Sequence, residues 1–326
     1  MGCRERRPLN QTLKRTVMKK LLVLMLAGIA GFTNRSVADS DSKAGTGPIS
    51  QEIEVGDAPS FSKALRVEPG GKLTVNVDRG EIRVGASDQD AVQIGIERKV
   101  EHAGASDAAR ILREEHVVVK QDGNKISITA HEPSSLGGIL RWRQPDLNVR
   151  YEITVPRRFE VQLKTGGGGI RVADVQGEVH VETEGGGLEF EGVGGKVDGK
   201  TEGGGIKARG CKGEMRIKTE GGGIRIEEFA GPRVQAMTEG GSIYADFAAT
   251  PTGDSALQTE GGSVTARLPS NAAVTLDAHT EGGGVRTEFP VQVEGQISDR
   301  IKGPINGGGP LLKLETQGGS IEAVKR

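Results

Sequence analysis

Aromatic side chains are scarce in this chain: seven Phe, two Tyr and one Trp among 326 residues. A core built without them must use small and branched aliphatics, which bury less surface apiece. Cysteine is nearly absent as well. Cys3 lies in the N-terminal segment read below as removable, so Cys211 stands alone. One thiol excludes an intrachain disulfide and a zinc cage and fits a small buried or corner residue. The histidines 102, 116, 131, 180 and 279 show no H-x-H or H-E-x-x-H spacing, so no metal and no cofactor is expected. Asp246 and Asp254 stand isolated and no Ser/His/Asp constellation is visible, which points away from an enzyme.

Long hydrophobic runs are also missing. The run Leu21–Ala30 follows Lys14, Arg15, Lys19 and Lys20 and precedes Ser36-Val37-Ala38. Basic segment, short apolar segment and small-x-small site make a signal peptide over residues 1–38, with Met18 an alternative start. The run falls short of the roughly 20 residues that a membrane span needs; an uncleaved anchor is the alternative. Removing residues 1–38 deletes eight Lys/Arg and one Glu, leaving a net charge of −8. That charge disfavours nucleic acid as a partner. The chain is expected to be exported, to the periplasm or to the cell surface and beyond, with no membrane span in its mature part.

What the sequence has in excess is glycine, 51 residues, and it is organised. Thr165 opens TGGGGI, Thr183 TEGGGL, Thr201 TEGGGI, Thr219 TEGGGI, Thr238 TEGGSI, Thr259 TEGGSV, Thr280 TEGGGV and Thr316 TQGGSI. Successive spacings are 18, 18, 18, 19, 21, 21 and 36 residues. A near-fixed period in this range marks a solenoid. Positions four and two before each Thr are almost all apolar, as in Val179/Val181 and Met215/Ile217, and the residues between are polar. After each corner Ile170/Val172, Leu188/Phe190, Ile206/Ala208 and Ile224/Ile226 continue the alternation, with Arg171, Glu189, Lys207, Arg225, Tyr244, Thr265 and Arg286 on the opposite face. Period two is that of a strand.

The fold expected is all-β: a parallel β-solenoid, like a single-stranded β-helix, with rungs of 18–21 residues about 4.8 Å apart. Eight corners imply a rod of about 40 Å. Each Thr should point inward, bonding corner amides or forming a ladder with its neighbours. The corner glycines should supply positive φ and room for close stacking. Alternating signs along Arg171, Glu189, Lys207 and along Lys164, Glu182, Lys200 should pair across rungs and fix register. The column Glu184, Glu202, Glu220, Glu239, Glu260 and Glu281 should repel by about 1 kcal/mol per neighbouring pair in water, and apolar burial outweighs it.

The remaining segments follow from the same patterns. Residues 39–60 read as a linker and 61–160 as a β-rich capping region, with strands at Leu73–Val77, Ala91–Val100 and Val117–Ala130. The last of these turns at Asp122-Gly123-Asn124. Arg79–Val84 resembles a degenerate corner and strand, and Ser106 can cap a short helix from Asp107 to about Glu115. The solenoid proper spans 161–326, with residues 287–312 an inserted loop. The stretch Gly194–Thr201, GGKVDGKT, spells the phosphate-binding pattern G-x-x-x-x-G-K-[ST]. No helix follows it, so the nucleotide reading fails for want of strand, loop and helix.

The repeats, with YEITVP at Tyr151–Pro156 entering the first rung and INGGGP at Ile305–Pro310 entering the last, resemble a bacterial family of exported β-solenoid domains labelled "putative adhesin". The resemblance covers about residues 61–326 and implies a surface-interaction role, with no catalytic or ligand residues to carry over. The expected function is therefore a non-enzymatic adhesin-like or envelope scaffold whose partner is an envelope or cell-surface protein or glycan. Trp142, Arg171, Arg225 and Tyr244 are candidate contact residues; packing in the cap is the plainer role for Trp142. A carbohydrate-binding or carbohydrate-active β-helix and an envelope-stress signalling accessory are the alternatives.

Overall fold

A computed structural model describes residues 50–131, 147–291 and 299–326 of the chain. The signal-peptide reading and Trp142 lie outside the described residues. Within Pro48–Arg326 the described residues are almost wholly β, in a 13-stranded and a 12-stranded sheet, with one helix and no closed barrel.

Each repeat gives one strand to each sheet. Val179–Thr183, Val197–Thr201, Met215–Thr219, Val234–Thr238 and Ser255–Thr259 stack parallel in the first sheet, each corner Thr in register with the next. Leu188–Glu191, Ile206–Arg209, Ile224–Phe229, Ile243–Phe247 and Val264–Leu268 stack parallel in the second. Inward residues of both strands meet in one continuous core, for example Val179, Val181, Leu188 and Phe190, all at most 2% exposed. Each such side chain contributes about 1.5–3 kcal/mol when fully buried. Aromatic scarcity is handled by pairing large with small: a Cβ on Gly199 would strike the Phe190 ring of the preceding rung.

The corner threonines are buried as expected, but they form no ladder with one another. Thr201 Oγ1 donates to the Gly186 carbonyl of the preceding rung at 2.6 Å and accepts the Gly204 N–H of its own corner at 3.3 Å. Thr219, Thr238, Thr259, Thr280 and Thr316 repeat both bonds. Thr183 does so more loosely, and Thr165, at the first corner, donates to the Gly80 and Gly167 carbonyls. One hydroxyl therefore satisfies a carbonyl in one rung and an amide in the next.

Positive φ is not what the T-E-G-G-G corners require. Gly168 has φ 129°, but none of the three glycines in the later corners has φ in the left-handed region. Steric room decides instead. A Cβ on the middle glycine, at Gly186, Gly204, Gly222, Gly241, Gly262, Gly283 or Gly319, would overlap the backbone carbonyl of the neighbouring rung. At the third position a Cβ would stand 3.0–3.1 Å from its neighbour in Gly187, Gly205 and Gly223, and Ser242, Ser263 and Ser320 occupy that place elsewhere.

Rungs do not stack in chain order at either end. Leu311–Thr316 inserts between Ser255–Thr259 and Val274–Thr280, and Ile321–Lys325 between Val264–Leu268 and Val285–Thr287. The inserted-loop reading of 287–312 is corrected accordingly: Arg300–Ile305 is a strand pairing antiparallel with Val274–Thr280. Near the other end, Lys72–Arg79 and Glu81–Ser87 form the degenerate rung, lying between Lys125–His131 and Glu160–Gly167 in one sheet and between Leu147–Pro156 and Ile170–Ala173 in the other. Outside these inserted rungs the first sheet ends in antiparallel pairs at both edges and the second at one, its other edge being Val285–Thr287, parallel to Ile321–Lys325. The edge strand Arg300–Ile305 carries Pro304, which cannot donate to a further chain. Ser50–Glu54, within the stretch read as linker, is a strand paired with His116–Asp122. The helix spans Ala105–Glu114 with Gly104 at its N-cap, so Ser106 lies inside the helix and is not its cap.

Arg98 replaces an inward apolar residue in the capping region and is 3% exposed. It donates to the carbonyls of Leu112 at 2.9 Å and Gly56 at 2.7 Å, and faces Glu115 at 3.8 Å. Burial pushes the Glu115 carboxyl above its usual range despite Arg98, and lowers the Arg98 guanidinium despite Glu115. Desolvation thus exceeds the pair's mutual attraction.

Two outcomes follow for thermal unfolding. Gly204→Ala is expected to cost about 3 kcal/mol or more through overpacking against backbone, whereas Gly205→Ser costs less than about 1 kcal/mol; equal losses would refute the steric account. Because the Glu115 pKa is higher folded than unfolded, its contribution is fully present in acid and is lost as pH rises through the carboxylate range. Unfolding curves across that range should therefore show Glu115→Gln gaining on the parent protein as pH rises, and a constant difference would contradict this.

Candidate functional site

The strand alternation that buries Ile170, Leu188, Ile206, Ile224 and Ile243 aims the next residue of each rung at solvent. In register these are Arg83, Arg171, Glu189, Lys207, Arg225, Tyr244 and Thr265, one per rung across seven rungs of the second sheet. Together they line an open groove of about 1150 Å³. The corner residues Gly169, Gly187, Gly205, Gly223, Ser242 and Ser263 form its other border. One wall is thus charged and aromatic, and the other is nearly bare backbone.

Arg171, Arg225 and Tyr244, singled out from sequence, are brought together here. Arg171 contacts Glu189 at 3.2 Å and Glu191 at 2.6 Å. Arg225 contacts Glu227 at 2.7 Å and lies over the Tyr244 ring, 4.7 Å from its centroid. At an exposed site that stacking contributes about 0.5–1 kcal/mol and holds the ring in place. Arg267 donates to the Tyr244 hydroxyl at 3.4 Å. Arg83 was missed from sequence, although the degenerate unit Arg79–Val84 places it at the Arg171 position. Its guanidinium donates to the Glu81 carboxylate at 2.8 Å, which raises it further above its ordinary pKa.

The expected sign alternation holds only for the first rungs. Lys164 meets Glu182 at 3.2 Å, but Lys200 is in register with Lys218, and Lys207 with Arg225. Lys207 makes no ion pair among the described residues. Like charges on adjacent rungs are tolerated because both side chains reach water, where the repulsion is about 1 kcal/mol.

Groups whose titration burial shifts upward lie elsewhere. Glu115 and Tyr151 belong to the capping region, and Cys211, 1% exposed at a corner, is raised by burial as well. Within the groove both lining carboxylates are engaged by guanidinium groups, Glu81 by Arg83 and Arg150 and Glu189 by Arg171. Among the described residues no cluster of three His, Cys, Asp or Glu side chains is placed to hold a metal, and no helix is long and apolar enough to cross a membrane.

Comparison with known proteins places this architecture. Two solved structures align with the chain at low identity. A "putative adhesin" from Bacteroides fragilis is 13% identical, with 81% of this chain and 96% of that one covered at a TM-score of 0.42. A "putative cell adhesion protein" from Clostridium sporogenes is 12% identical, with 82% and 100% covered at a TM-score of 0.27. No curated protein matches the sequence. Residues 70–323 match the family described as Toastrack DUF4097, a span that takes in the two inserted rungs and the whole groove, and the chain belongs to that family.

Proposed function

We propose that the chain is a non-enzymatic, exported binding protein of adhesin-like character, and that the groove on its second sheet is the contact surface for an envelope or cell-surface partner. The observation that carries this reading is the convergence of Arg83, Arg171, Lys207, Arg225 and Tyr244 on one face spanning successive rungs. A rigid stack displays these side chains without the ordering cost that a loop would incur on binding. Arginine and tyrosine are the residue types that dominate interface energetics. The tied carboxylates of the groove argue against acid–base catalysis there, because a general acid or base must be free to exchange its proton.

The test is attachment of the mature chain to intact bacterial cells and purified envelope, measured as a dissociation constant. The combined change Arg171→Ala, Arg225→Ala and Tyr244→Ala is expected to weaken attachment by about 30-fold or more, the loss of a hot-spot cluster, while leaving thermal unfolding nearly unchanged. Attachment at the parent affinity would contradict the assignment.

A further inference from the structure

The bare border of the groove carries a second pattern. At the third corner position the carbonyl and N–H point in the direction of the preceding rung. The Gly187 carbonyl accepts from Ile170 N–H, and the Gly205 carbonyl from Leu188 N–H. Where the preceding rung carries serine the N–H finds an acceptor, as when Ser263 N–H donates to Ser242 Oγ at 3.1 Å and Ser320 N–H to Ser263 Oγ at 3.2 Å. In the glycine rungs that hydroxyl is missing from the sequence. Among the described residues, no acceptor is bonded to the N–H of Gly187, Gly205, Gly223 or Ser242. These four corner residues are exposed, on successive rungs, within the groove.

Ser242 Oγ and Ser263 Oγ therefore mark where an oxygen sits when it satisfies this N–H. The glycine rungs present the same donor to solvent at intervals of about 4.8 Å, the spacing of paired strands. Beside the donors, Lys207 and Arg225 stand in register on adjacent rungs and Lys207 has no ion pair among the described residues. Arg225 is already held by Glu227 at 2.7 Å, so Lys207 is the cation an incoming anion would pair.

We propose that the groove takes a single chain of an anionic polysaccharide running across the rungs, with oxygens on the N–H groups of Gly187, Gly205, Gly223 and Ser242 and a carboxylate on Lys207. An extended peptide fits poorly, because its same-side carbonyls repeat every two residues, about 6.6 Å, and lose step with the donors. A sugar ring is comparable in length to the spacing between rungs, and although successive rings are turned about the chain, each carries oxygens on both edges, so every ring can bring a hydroxyl or carboxylate oxygen to a donor. Tyr244 offers a ring for the sugar's apolar face. This inference names the ligand class for the groove and rests on the reading of that groove as a binding surface.

The test is calorimetric titration of the mature chain with an oligogalacturonate, with a neutral cello-oligosaccharide and with poly-glutamate. Tightest binding is expected for oligogalacturonate. The double variant Gly187→Ser and Gly205→Ser, which supplies internal acceptors for Gly205 and Gly223, should weaken it by about tenfold at unchanged thermal stability. Lys207→Gln should weaken it and flatten its salt dependence. Undiminished binding by the serine variant, or poly-glutamate binding as tightly, overturns the inference. If oligogalacturonate does not bind while cell attachment still depends on Arg171, Arg225 and Tyr244, this inference falls and the groove assignment stands. If attachment is also indifferent to those three residues, both fall.

Discussion

The structure depends on how closely the backbones of successive corners approach. At the middle corner position each glycine lies against the carbonyl of the glycine in the next rung, with no space for a Cβ. The threonine hydroxyl before it ties the two rungs together, donating across the gap and accepting within its own corner. Without the glycine the rungs could not approach. Without the threonine, closed corners would leave a buried carbonyl and amide unpaired, at a cost of about 1–3 kcal/mol for each group. Steric demand and polar satisfaction meet at one point in every repeat.

That constraint also decides where function can reside. Corners have to be narrow and nearly free of side chains, and the core has to be apolar, so chemistry is left to the outward faces of the strands. There the register set by the corners places equivalent residues of successive rungs side by side, and a substitution at one phase of the repeat alters one place along a line. The groove is such a line, with Arg171, Glu189, Lys207, Arg225 and Tyr244 as successive members. The ends follow another rule. Antiparallel strands, Ser50–Glu54 and Arg300–Ile305, finish both edges of the first sheet.

Much of this was legible in the sequence because each rung repeats the same physical problem. The alternation around the corners marks inward and outward faces, and of the outward residues named after the corners all but Arg286 line the groove, which Arg83 joins. The cap and the rung order were less legible. Nothing in the pattern of Leu312, Leu314 and Thr316 distinguishes a last rung from one inserted between Thr259 and Thr280; the strand pairings show the order, as do the Thr316 bond to Gly262 and the Thr280 bond to Gly319. Gly104 caps the helix where Ser106 looked the better residue, because the chain enters the helix two residues earlier than side-chain preference alone implies. Of the two demands expected of the corner glycines, close stacking holds and positive φ does not, because the repeat reveals that corners stack but not the backbone path each one takes. The third-position serines carried a further signal: where side chains are permitted beside a forbidden position, the two glycines differ in kind.

Amide hydrogen exchange resolved at adjacent glycines tests this most directly. The amides of Gly186, Gly204 and Gly222 are held by threonine hydroxyls inside the stack, while those of Gly187, Gly205 and Gly223 face solvent without a protein acceptor. Strong protection is predicted for the first three, with exchange only through opening of the stack, and rapid exchange for the second three. Equal protection within each neighbouring pair, or fast exchange at Gly204, would contradict both the corner stacking and the exposed row of donors.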